Sequence, residues 1–78
     1  MDTGRKDANI QIGKRLREAR LNMNLEKSEI ADVLDVTVEH YRKLEAGITG
    51  ISVDKVLTLY HKYGIEPTYM ITGESSMK

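Results

Sequence analysis

The stretch from Leu25 to Gly47, LEKSEIADVLDVTVEHYRKLEAG, constrains this chain more than any other, because its apolar pattern breaks and restarts within a few residues. Leu25, Ile30, Ala31 and Leu34 fall on one face of a short helix, and Tyr41 and Leu44 mark the inner face of a second one. Asp35-Val36-Thr37 lies between them. Thr37 suits an N-cap, its hydroxyl accepting from an amide one turn ahead, and Val36 just outside the helix supplies an apolar plug for the turn. Gly47 ends the second helix, since it can take positive φ. Two helices this short cannot bury their own apolar faces, so both must lean on flanking helices.

The flanks supply them. Residues 1–8 have no apolar period and read as a flexible N-terminal arm carrying Arg5 and Lys6. Asp7 or Asn9 then caps a first helix running to about Met23, with Ile12, Leu16, Ala19 and Met23 inward and Lys14, Arg15 and Arg17 outward. After Gly47, Ser52 caps a fourth helix, SVDKVLTLYHKYG, with Asp54 in its first turn and Val53, Val56, Leu57, Tyr60 and Tyr63 at inward spacings. Glu66-Pro67 opens a short fifth helix, whose apolar side is Tyr69, Met70 and Ile71 and whose end is Thr72-Gly73. Residues 74–78 read as a frayed C-terminal tail. The expected fold is all-α: one compact five-helix bundle over residues 9–73.

Composition excludes several classes. Seventy-eight residues allow one domain, near the lower size at which a chain folds without staples. There is no cysteine, and His40 and His61 stand too far apart for a local metal motif, so neither a disulfide nor a metal site is expected. No apolar run approaches the roughly 20 residues needed to span a bilayer, and MDTGRKDANI lacks an apolar signal core. The expectation is a soluble, cytoplasmic protein without membrane contact. No glycine-rich phosphate loop and no nucleophile beside a histidine is present, so no enzyme, cofactor or small-molecule ligand is expected.

The run Ile12-Gly13-Lys14-Arg15-Leu16-Arg17, followed by Leu25, Ile30-Ala31, Leu34, Val36-Thr37 and Leu44-Glu45-Ala46-Gly47, resembles the phage repressor and Cro type of helix-turn-helix domain, the XRE family. The resemblance covers roughly residues 9 to 73 and implies a lambda-repressor-like bundle that binds double-stranded DNA. It implies that Arg20 pairs with Glu45 as a structural clasp; otherwise Arg20 is one more solvated charge on a basic helix. It places Lys27, with Ser28 beside it, and Thr37 at helix starts that meet the DNA backbone, though Lys27 is otherwise a first-turn surface residue. Val38, Glu39, Arg42 and Lys43 match the outward positions of a reading helix over residues 38–46. Val38 suits a thymine methyl group, Glu39 a cytosine amino group, and Arg42 or Lys43 guanine or the backbone. His40 either touches DNA or is an ordinary surface residue, and Arg42 can instead pair with Glu39 three residues back.

Two features depart from the family. Glu26-Lys27-Ser28 stands where the family has a hydroxyl cap followed by glutamine, and Ile48-Thr49-Gly50-Ile51 lacks the basic residues that grip the backbone elsewhere. Charge is distributed unusually as well. Residues 1–24 hold six basic and three acidic side chains, whereas residues 25–47 hold three basic and six acidic, so the reading motif is itself acidic. The expected function is sequence-specific DNA binding by a repressor-like transcriptional regulator; the alternative is a protein-interaction module of the same fold, such as an antirepressor. Few phosphate contacts per copy point to a homodimer on a palindromic operator, weak in free solution and firm on DNA, with Ile48, Ile51, Tyr69, Met70 and Ile71 as the expected interface.

Overall fold

Each of the five helices in the computed structural model, which describes residues 3–74, ends where the chain turns into the left-handed region or meets a cap. They are α1 (Thr3–Asn22), α2 (Lys27–Val33), α3 (Val38–Ala46), α4 (Val53–Tyr63) and α5 (Pro67–Thr72). Met1, Asp2, residues 75–78 and the side chains of Thr3 and Arg5 lie outside the described residues.

The start of α1 differs from expectation. Helix begins at Thr3, not at Asp7 or Asn9, so residues 3–8 are helical. Lys6, Asp7 and Ala8 have no apolar period, but a helix already nucleated by a packed segment extends through such residues at little cost. At the other end, Leu25 N–H reaches the Arg20 carbonyl and Asn24 N–H the Leu21 carbonyl, both at 3.1 Å, with Asn24 at φ 60°. The same closing motif recurs after α2, where Asp35 takes φ 60° and Val36 N–H reaches back to the Ala31 carbonyl. It recurs again after α3 at Gly47, φ 78°. Three turns of one type thus set the path of α1, α2 and α3.

The core is formed by Leu16 and Ala19 of α1, Ile30, Ala31 and Leu34 around α2, Tyr41 and Leu44 of α3, Leu59 of α4, Ile65, and Met70 of α5. α1 packs against α3 and α5, α2 against α3, and α4 against α5. The crossing of α1 over the end of α3 is close enough to require glycine twice. A Cβ on Gly13 would lie 2.6 Å from the Leu44 carbonyl oxygen, and one on Gly47 would lie 2.6 Å from the Ile10 Cα. Gly47 therefore serves both the turn and the contact.

The inner face of α4 is rotated from the expected one. Val56 and Leu59 are buried and Tyr63 packs at the core edge, whereas Val53, Leu57 and Tyr60 are exposed. Met23, expected inward, lies past the end of α1 and is also exposed. Arg15, expected outward, instead donates to the carbonyls of Met70 and Ile71 at 3.1 and 3.0 Å. It satisfies acceptors that the last turn of α5 leaves unpaired and ties that helix to α1.

Candidate nucleic-acid interface

α3 is held from one side only. Tyr41 and Leu44 are buried, and the Thr37 hydroxyl accepts from His40 N–H at 3.0 Å, fixing the first turn. With 3.6 residues per turn, anchoring those two positions sends Glu39, Arg42 and Lys43 to the opposite side, with Val38 and His40 on its flanks. All five are exposed. Glu39 and Arg42 approach to 3.9 Å across three residues, a solvated pair of little strength that a base edge or phosphate can replace. Lys43 has no ion-pair partner among the described residues.

Behind this face lies the clasp. Arg20 Nε donates to Glu45 Oε2 at 2.6 Å, its Nη2 to Glu45 Oε1 at 3.3 Å, and its Nη1 to the Leu25 carbonyl at 3.1 Å. The Tyr41 hydroxyl donates to Glu45 as well. Both charged side chains are less than a tenth exposed, so the group links α1, the entry to α2, and α3 in the interior. The hydrogen bond to Glu45 holds the Arg20 guanidinium even more firmly charged than usual. Burial, reinforced by the bond to the Glu45 carboxylate, pushes the Tyr41 phenol well above its ordinary range. The resemblance carried Arg20 and Glu45; the Tyr41 hydroxyl was missed, since an inward tyrosine gives no sign of which buried acceptor it will find.

The start of α2 flanks the same face. Glu26 N–H donates to the Glu29 carboxylate at 2.7 Å, so a residue inside the helix satisfies an amide at its entry. Lys27 is half-buried and Ser28 exposed. Between α2 and α3, Asp32, Asp35, Val36, Thr37 and His40 line a shallow open depression. Its two carboxylates make this edge unfavourable for phosphate and set His40 beside acidic neighbours.

The five residues expected at a dimer interface are not brought together as one exposed patch. Ile48 and Ile71 are 69% and 57% exposed. Ile51 packs against the core edge, and the Tyr69 hydroxyl donates to Glu18 at 3.1 Å. Met70 is fully buried between α5 and the core, so its place in the interface is a correction: Pro67 fixes the start of α5 so that Met70, one position from Tyr69, points inward.

Among the described residues no group of three histidine, aspartate or glutamate side chains could hold a metal ion, and no helix is long and apolar enough to cross a membrane. What remains is a buttressed, solvent-facing helix preceded by a second helix and a tight turn. Residues 13–76 match the family described as helix-turn-helix domain. The chain belongs to the XRE-type helix-turn-helix family. An uncharacterised HTH-type transcriptional regulator of Rickettsia conorii is 36% identical over 75 residues, which cover 90% of this chain and 60% of that protein. The chain thus spans about 60% of the length of that relative. No solved structure matches it. As a helix-turn-helix domain, its α2 and α3 form the motif, and the Arg20–Glu45 clasp ties α3 to α1 behind it.

Proposed function

We infer that this helix-turn-helix domain binds double-stranded DNA with sequence preference, as a repressor-like transcriptional regulator in the cytoplasm. The observation that carries the reading is the face of α3: Val38, Glu39, His40, Arg42 and Lys43 are all solvent-facing on a helix locked from behind by Tyr41 and Leu44. Such a face fits the major groove, which admits one α-helix and displays a distinct donor and acceptor pattern for each base pair. Arg42 or Lys43 contributes to guanine or phosphate, Val38 to a thymine methyl group, and Glu39 to a cytosine amino group. Lys27 and Ser28 at the start of α2 meet the backbone, as does Thr37 at the start of α3, where the neighbouring Asp32 and Asp35 carboxylates weaken the contact.

The acidic motif shapes how this binding works. Glu39 and the Asp32–Asp35 edge repel phosphate in every wrong register, so non-specific affinity is low and preference is sharpened. A single copy makes too few backbone contacts for useful affinity. Two copies on a palindrome, with reading helices about 34 Å apart, double them. The same acidic edge favours one other reading, a protein-interaction module that engages a basic partner instead of DNA.

Selection from a randomised duplex library separates the two. The DNA reading expects enrichment of an inverted repeat with half-sites one helical turn apart. Recovery of unenriched sequence after repeated rounds overturns it in favour of the protein partner.

A further inference from the structure

The exposed side of α4 carries three large apolar side chains, more than any other helix among the described residues, and neither the core nor the DNA-facing surface uses them. Val53, Leu57 and Tyr60 are 72%, 44% and 45% exposed and follow one another at spacings of four and three, so they form a stripe along the helix. Asp54 and His61 flank that stripe on its other side, both exposed, and neither has an ion-pair partner among the described residues. The Tyr60 and His61 rings lie 5.3 Å apart at 59°.

We propose that this face of α4 is a self-association surface, on which a second copy of the chain packs α4 antiparallel to α4 with Leu57 at the twofold axis. The face is complementary to a second copy of itself. A twofold axis through Leu57, perpendicular to the helix and in the plane of contact, preserves the side of the stripe and reverses direction along it. Tyr60 lies about 4.5 Å beyond Leu57 and Val53 about 6 Å before it, on the same side, so each Tyr60 ring meets the Val53 of the other copy. On the opposite side His61 lies about 6 Å beyond Leu57 and Asp54 about 4.5 Å before it, so each His61 meets the Asp54 of the other copy. Apolar groups thus meet apolar groups, a carboxylate meets an imidazole, and Leu57 meets itself. A parallel arrangement, with its twofold axis along the helices, would exchange the two sides and set Asp54 against Val53.

The surface is small. Three apolar side chains per copy fall short of the roughly 800 Å² per partner of a standard interface, so association in free solution is weak, in the micromolar to millimolar range. This inference supplies the interface for the two-copy reading under Proposed function and rests on that reading. Sedimentation equilibrium of the chain without DNA tests it alone, because the library selection addresses the DNA face independently. The wild type should show a concentration-dependent dimer. Leu57→Glu should weaken it at least tenfold, and Leu21→Glu, an equally exposed leucine on α1, should leave it unchanged. Asp54→Lys should weaken it severalfold, and adding His61→Glu should restore most of the loss by exchanging the charges across the axis. Helical circular dichroism confirms that each variant folds. A wild type that remains monomeric at millimolar concentration, or a dimer indifferent to Leu57→Glu, overturns the proposal.

Discussion

Replacing Arg20 with alanine removes the cation from a buried pair and leaves its partner in place. Arg20 makes two hydrogen bonds to Glu45 and one to the Leu25 carbonyl, and both charged side chains are under a tenth exposed. In the variant the Glu45 carboxylate keeps only the Tyr41 hydroxyl as a side-chain donor. Stranding one member of a buried ion pair costs about 3 to 5 kcal/mol. A domain of this size has a total stability of about 4 to 12 kcal/mol, so the loss is a large fraction of the whole. At about 4 to 8 °C per kcal/mol, the lower figure already predicts a fall in Tm of about 12 to 24 °C. Thermal melting followed by circular dichroism reads this directly. Arg20→Met combined with Glu45→Leu leaves no stranded charge and should recover much of the loss. An Arg20→Ala variant melting within error of wild type, or a double variant no better than the single, would refute the reasoning.

Gly13→Ala places a methyl group 2.6 Å from the Leu44 carbonyl, where only backbone can yield, and should cost about 2 to 3 kcal/mol in urea unfolding. Because burial and Glu45 raise the Tyr41 phenol above its ordinary value of 10.0, the folded state holds that proton more tightly than the unfolded chain. That contribution to stability is complete below about pH 10 and is lost as pH climbs through the folded value, so Tyr41→Phe should flatten the alkaline decline seen in wild-type unfolding. Glu39→Gln should raise affinity for many duplexes and relax preference at one base pair by about 1 to 3 kcal/mol if that residue reads cytosine. A binding profile across a randomised library identical to wild type would remove Glu39 from the interface.

The parts of the fold that were legible in the sequence are those set by local chemistry. Thr37 and Ser52 cap their helices through their own hydroxyls, Gly47 takes positive φ, and Pro67 opens α5, each decided within four residues of itself. The left-handed turns at Asn24 and Asp35 carried a weaker signal, since those residues adopt that conformation less readily than glycine. The face of α4 was ambiguous for a different reason. Val53, Leu57 and Tyr60 form one apolar stripe and Val56, Leu59 and Tyr63 another, and periodicity alone cannot say which turns inward. Gly13 stood inside a legible motif, but its close approach to α3 depends on a contact 31 residues distant and has no local mark. Arg15 is similar, because its acceptors are carbonyls of α5. Of the candidate site, the outward residues of α3 followed from the inward pair Tyr41 and Leu44, whereas the expected interface failed at Met70, which the core claims.

The central claim is that α3 reads duplex DNA, and a low-salt anisotropy titration of the chain against a mixed-sequence duplex tests it most directly. The motif offers Lys27, Arg42 and Lys43 as its cations, and on a mixed-sequence duplex, where no base is read, all three face phosphate. Low salt should therefore show weak but measurable binding whose affinity falls at a log–log slope of about −3 per copy, and that binding should be lost in Arg42→Ala with Lys43→Ala. No binding at low salt, or binding that survives removal of both residues, would contradict it.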